Sequence, residues 1–561
     1  MMRQCAGKGR ARRVRRGAVG GCAGAAASAT LVCTAACAAP ARPPDVAVIA
    51  SGADLESPDP IVTVHPLSRQ VQRHVLLVTL ARYDAHLAPA PYYARRWRWA
   101  PDRRAVTLFL ESTLRWHDGV PTTAADAVFT FALARDSAVG SPRRAELGAL
   151  AAAEAVDDTT LVLRFTTAQP DLPRFVCELP LVPRHVLGPA PRRALGQARF
   201  ETAPVGNGPF RFVERRAGAR WTFARNDGFP ASMGGPPRLA RLVVAVVDEP
   251  TTKFSGLISG ELDVAGIAPT SAALLAHDPV ARVLSYPVAF STGLVFNTGR
   301  PPFDDVRVRQ AVSASIDRRR LVDVALAGYA TPSAGAVPPG FPNALAVPDP
   351  RDPRRADSLL DATGWARGRD GVRRRGGRPL EVELLTVGSG DNAVEQLVQA
   401  DLAARGVTTA IRPRELGAFL TAARAPRKAF DLLLTGVPGD LGLAHLTAMF
   451  ATSGSGGTLD YASYHRPALD AAFARAVVAP DAAARAAAWA AVQRVLADSV
   501  PVAWLYHARG VQGVARRLRG VAMDLRGELA TVHEWAGVPG ADEREGPAPN
   551  ARAVAPHASS P

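Results

Sequence analysis

His117 and Asp118 are neighbours, and the two residue types together suit general acid–base work. They sit in the polar run Trp116-His117-Asp118-Gly119, where adjacent side chains of a turn point apart, so structural roles are expected for both. Asp440 follows the apolar run Leu432-Leu433-Leu434 and the turn residues Thr435 to Gly439. At the end of a strand such a carboxylate can meet a cationic ligand, or it can stand as a solvated turn aspartate. Other chemistries have no foothold. Gly256-Leu257-Ile258-Ser259-Gly260 has the wrong spacing for a nucleophile elbow, and neither a phosphate loop nor a dinucleotide-type glycine cluster occurs. His-Glu-x-x-His and Cys-x-x-Cys are both missing, and the eleven histidines are scattered. An enzyme is therefore not expected, and neither is a cofactor or a bound metal.

The elements that must position these residues are legible from periodicity. Val46 to Ile49, Val106 to Leu110 and Phe430 to Leu434 read as buried strands. Thr123-Ala124-Ala125-Asp126 is a capping-box pattern opening a helix whose stripe is Ala127, Val128 and Phe131. Asp304 or Asp305 caps a second helix, with Val308, Ala311, Val312, Ser315 and Ile316 at helical spacing. Residues 380–386 alternate as a strand, 392–405 carry Val394, Leu397, Val398 and Leu402 on one helical face, and Gly406 stops that helix. Val407, Thr409 and Ile411 then alternate again. A strand, helix, strand unit predicts a parallel pair joined by a right-handed crossover, and hence a parallel sheet in the C-terminal half. Residues 481–497 form an Ala-rich helix. The fold class predicted is α/β.

The chain has 561 residues, 47% of them hydrophobic and 21% charged, which excludes a disordered or fibrous protein. Its formal net charge of +16 is partly local: Arg3, Lys8, Arg10, Arg12, Arg13, Arg15 and Arg16 lie in the first sixteen residues, ahead of any acid. Elsewhere basic and acidic residues interleave, so no nucleic-acid partner is expected. The basic head, the small apolar stretch 17–36 and the small residues before Cys37 follow the pattern of an export signal over 1–37. Thr34-Ala35-Ala36-Cys37 resembles a lipobox, with Cys37 as the lipidation site. Cleavage by an ordinary signal peptidase is the alternative. Residues 38–45 read as a Pro/Ala tether and 541–561 as a disordered tail. After the signal, Cys177 is left without a disulfide partner, and no later stretch is long and apolar enough to span a membrane. A protein exported to the periplasm or cell envelope is expected, touching the membrane only through that lipid.

Several longer patterns then recur in order. Leu114-Arg115-Trp116-His117-Asp118-Gly119-Val120-Pro121 precedes Thr123 to Phe129. Pro204-Val205-Gly206-Asn207-Gly208-Pro209-Phe210 follows, then Gly260-Glu261-Leu262-Asp263-Val264-Ala265. Phe296-Asn297-Thr298 leads into Pro301-Pro302-Phe303-Asp304-Asp305-Val306-Arg307-Val308-Arg309-Gln310-Ala311. Across residues 45 to about 535 the chain resembles the family 5 extracellular solute-binding proteins, receptors for ABC importers of peptides and nickel. Most of these landmarks are architectural: Trp116 and Phe303 are expected in the core, Asn297 on backbone groups, and Gly119 and Gly208 at turns with positive φ.

The resemblance implies a two-lobe periplasmic-binding-protein fold of type II, with an extra inserted subdomain, closing over a central cleft. One lobe would comprise 45–290 and 500–540 with the insertion around 80–200, the other 291–500, and two or three crossovers would serve as hinge. It also implies capture of di- or oligopeptides by a monomer that delivers them to a permease in the cytoplasmic membrane. The matching site is Gly436, Val437, Pro438 and Asp440: main-chain groups pair with an extended peptide, and the aspartate meets its α-amino group. Pro438 lacks an N–H to donate. His65, in Val64-His65-Pro66, would form the facing wall. The alternatives are a nickel chelate, haem or oligosaccharide in the same cleft, or a chaperone-like or sensory role.

Overall fold

The structure, a computed structural model, describes residues 42–388 and 392–538. Cys37, the 1–37 leader, residues 38–41 of the tether and the 541–561 tail lie outside the described residues.

Among the described residues the framework is an eleven-stranded mixed sheet. Ten of its strands in chain order are β1 (Val46–Ser51), β2 (Phe210–Arg216), β3 (Arg220–Arg225), β4 (Arg241–Val246), β5 (Val264–Gly266), β6 (Ala281–Phe296), β7 (Glu381–Val387), β8 (Thr408–Arg414), β9 (Leu432–Pro438) and β10 (Val502–Ala515). They lie in the order β8-β7-β9-β6-β10-β5-β1-β4-β3-β2, and Ala330–Pro332 adds a short strand on β10. The expected strand, helix, strand unit is present. β7 and β8 pair in parallel from Glu381↔Thr408 to Val387↔Arg414, and the helix Ala393–Ala403 connects them. Gly406 has φ +80°, and a Cβ there would lie 2.5 Å from the Gly371 carbonyl oxygen. The expected C-terminal parallel sheet covers only β7, β8 and β9, because β6 and β10 enter antiparallel. Parallel pairing also occurs outside that half, where β1 lies between β4 and β5.

Strands β6 and β10 have 16 and 14 residues, long enough to belong to two cores. One hydrophobic cluster gathers residues from Ala47 to Val244 with Val264, Tyr286 and the segment Val514–Trp535. Two others lie wholly between Leu294 and Leu505. The β6–β10 ladder is irregular between Pro287 and Ser291, and again between Thr292 and Gly293, where the chain passes from the first core to the others.

A second sheet of four strands (94–99, 105–110, 160–165, 150–157) is packed by the helix Ala124–Arg135. Its entry follows the predicted capping chemistry. The Asp126 carboxylate accepts the Thr123 N–H at 2.9 Å and also the Trp116 indole N–H at 3.3 Å and the Arg184 N–H at 3.0 Å. The signature around Trp116 is thus a structural joint. His117 and Asp118 point apart: His117 Nε2 meets the Gly208 carbonyl at 3.0 Å, and Asp118 meets His185 at 2.7 Å. Gly119 has φ +92°, as expected. The expectation for Gly208 is corrected. Its φ lies outside the left-handed region, and glycine is needed because a Cβ would lie 2.6 Å from the Val75 carbonyl oxygen. Asn297 donates to the Lys428 and Phe430 carbonyls, and Phe303 is core, as expected. Among the described residues no helix is long and apolar enough to cross a membrane.

Candidate functional site

β9 has two different sides. On one it pairs with β6 through Phe290↔Pro438, Ser291↔Val437 and onward to Phe296↔Leu432. On the other it pairs with β7 only at Leu432 and Leu433. Beyond Leu433 the second edge carries no ladder, and Thr435, Gly436 and Pro438 are half-buried or exposed. The Gly439 N–H donates to the Ala289 carbonyl at 2.8 Å. The alternation of an antiparallel ladder then turns the main-chain groups of Gly436 and Pro438 away from β6, toward the open edge. Gly436 offers both an N–H and a C=O there, and Pro438 a C=O alone.

Side-chain direction separates the predicted residues. The expectation for Val437 is corrected: it is 1% exposed within the core, and by the same alternation its main-chain groups face β6, so neither its side chain nor its main chain is available to a ligand. On the opposite face the Phe290 ring lies across Gly436, where a Cβ would come within 2.1 Å of it. Phe290 is 40% exposed, an aromatic surface beside the open edge. Its sequence neighbour Ser291 has Oγ 2.8 Å from Nδ1 of His507, which lies opposite on β10. His507 is buried, its Nε2 has no partner among the described residues, and burial lowers its pKa to about 4. The imidazole is neutral at pH 7.

Asp440 is already engaged by the chain. Its Oδ1 accepts from Arg174 Nη1 at 2.5 Å and from the Gly442 N–H at 2.8 Å, while Oδ2 accepts the His445 N–H at 3.0 Å. His445 Nδ1 lies 3.2 Å from the same oxygen. Burial pushes the Asp440 carboxyl up, but the contact with His445 and the Arg174 charge outweigh it and hold the group well below its ordinary value. Arg174 extends the network, because its Nε reaches Glu178 at 3.3 Å. Glu178, nearly fully buried, also accepts from Arg69 Nη2 at 2.6 Å and from the Tyr83 hydroxyl at 3.3 Å. Burial raises its pKa, yet Arg174, Arg73 and Arg69 bring it down to about 2. Asp440, Arg174, Glu178 and Arg69 therefore form one continuous chain of charges.

His65 stands at the N-terminus of the helix Pro66–Val71, donates its N–H to Thr63 Oγ1 at 3.0 Å, and has a buried Nδ1 without a partner among the described residues. Among the described residues no hydrogen bond or ion pair joins it to 436–440. The connection runs instead through Arg69, one turn along its helix. Arg174, His445 and Phe290 were not anticipated. Arg174 is 266 residues from Asp440, and no local pattern announces such a pair. Among the described residues no group of three or more His, Cys, Asp or Glu could hold a metal ion.

An open strand edge beside an aromatic surface, on a sheet whose two central strands join separate cores, defines a two-lobe α/β binding protein. Residues 88–458 match the sequences described as bacterial extracellular solute-binding proteins, family 5 Middle. The chain belongs to that family. It is 29% identical over 450 residues to Protein XP55 of Streptomyces lividans, covering 79% of this chain and 80% of that one. A putative ABC transporter peptide-binding protein of Brucella ovis is 29% identical over 278 residues, 48% of this chain and 51% of the relative. Among solved structures, NikZ from Campylobacter jejuni in complex with Ni(L-His) superposes with a TM-score of 0.72 at 22% identity, covering 88% of this chain and 100% of that one. At that identity the likeness is one of fold.

Proposed function

We propose that this protein is the substrate-binding component of an ABC importer, that it captures peptides outside the cytoplasmic membrane, and that it hands them to a permease. The open edge of β9 carries the reading. An extended peptide laid along Gly436–Pro438 continues the sheet through the Gly436 N–H and C=O and the Pro438 C=O, with Phe290 as an apolar surface beside it. The Brucella ovis relative, described as a peptide-binding protein of an ABC transporter, supports the same class of ligand. His65 stands on the facing wall. One lobe comprises 45–290 and 500–540 with the insertion around 80–200, and the other 291–500. The irregular stretch of β6 and β10 serves as hinge, so that ligand favours closure by contacts completed only in the closed form. No catalytic step belongs to this role. The receptor acts as a monomer, exported by its 1–37 leader and anchored through Cys37.

Native mass spectrometry of protein purified gently from an exporting host tests the proposal. Many co-purified masses resolving into peptides support it, whereas a single non-peptide mass overturns the peptide assignment. A second reading keeps the same fold and cleft and gives it a metal chelate in place of a peptide.

A further inference from the structure

The Asp440 carboxylate has room for about four donors. Arg174, the Gly442 N–H and the His445 N–H, all supplied by the chain itself, take three of those places, and His445 Nδ1 lies beside Oδ2 and within 3.3 Å of the Asp440 main-chain N. Residue 442 is suited to this arrangement, since a Cβ there would lie 2.2 Å from Arg174 Nη1. Arg174 is the guanidinium at this carboxylate, and it is shared with Glu178, which also draws on Arg69 and Arg73. Arg174 is 40% exposed, and among the described residues its Nη2 makes no hydrogen bond. The end of the open edge therefore presents a guanidinium N–H and not a bare carboxylate.

We propose that Arg174 is a specificity-determining residue, which neutralises Asp440 from within the chain and selects ligands whose end at this place is acylated or anionic rather than a free ammonium. A free ammonium has to displace Arg174 from Asp440 and then remain beside the displaced guanidinium. An acyl carbonyl or a carboxylate instead accepts from Arg174 Nη2 and leaves the existing bonds in place. The inference rests on the peptide reading and deepens it by naming the chemistry of one end of the ligand.

The test is a competition read by native mass spectrometry on the full chain, with a degenerate tripeptide mixture and the same mixture N-acetylated, at equal concentration. The wild type is expected to retain acetylated peptides at least tenfold over free amines. Arg174→Gln uncovers Asp440 and is expected to reverse that order, while Arg174→Lys, which keeps the charge, is expected to preserve it. Preference of the wild type for free amines, equal retention, or an order unchanged in Arg174→Gln overturns the inference and leaves the peptide reading standing. If none of the three proteins retains either mixture, the peptide reading falls and the inference with it.

Discussion

Replacing Glu178 with Gln removes one negative charge from the middle of the network while keeping the shape of the side chain. Glu178 is 4% exposed at its side chain and holds Arg69 and Arg174, with Tyr83 on the same carboxylate. Its carboxyl sits at about 2 against an ordinary 4.5, a difference worth about 3 kcal/mol of stability in the ionised form. Breaking a buried pair from one side costs about 3–5 kcal/mol, in agreement. The folded-state value is depressed, so this stabilisation is fully present above pH 4.5 and is lost as the pH falls through 2. Urea unfolding of wild type and Glu178→Gln, run in parallel at several pH values, measures the difference with the other acids cancelling. At pH 7 the variant is expected to be about 3 kcal/mol less stable, and the gap is expected to close progressively below pH 4.5. A gap under about 1 kcal/mol at pH 7, in the range of an exposed pair, refutes the network as a source of stability. So does a gap that stays constant into acid.

Three further substitutions probe the site. Phe290→Ala removes the exposed aromatic surface, and calorimetry with a retained peptide is expected to show roughly tenfold weaker binding, with folding stability changed by less than about 1 kcal/mol; unchanged affinity argues that the ligand lies elsewhere. Gly442→Val puts a side chain where Arg174 Nη1 now lies, so the competition experiment is expected to give the result of Arg174→Gln although neither charged partner is altered. His507 is held neutral, at about 4 against an ordinary 6.5, so its contribution is present above pH 6.5 and is lost as the pH falls through 4. His507→Asn is expected to flatten the stability profile in that window by up to about 3 kcal/mol, and an unchanged slope in urea titrations contradicts the assignment.

Local rules were read correctly where they govern. The helix after Thr123, the helix capped by Asp305, the crossover from β7 to β8 and the stop at Gly406 depend on residues within a few positions of one another. Gly208 marks the limit. A glycine needed for a positive φ and one needed for close approach look identical in the chain, and the backbone it accommodates belongs to Val75 and Leu76. The extent of parallel pairing was likewise misjudged, because β6 and β10 come from distant segments and insert antiparallel between parallel groups.

The site divides in the same way. From the sequence alone Asp440 was legible as a carboxylate following a buried strand, although Thr435–Pro438, expected as turn, continue that strand within β9, and the ordered motifs pointed to a receptor with two lobes. Only the tertiary structure decided that β9 has an open edge, that Val437 faces the core while Phe290 covers Gly436, and that the carboxylate of Asp440 is held by Arg174. Periodicity and capping are set by backbone geometry over a few residues and are written locally. Which cation compensates a given acid depends on where two long strands carry separately packed cores, and no short stretch of sequence encodes that distance.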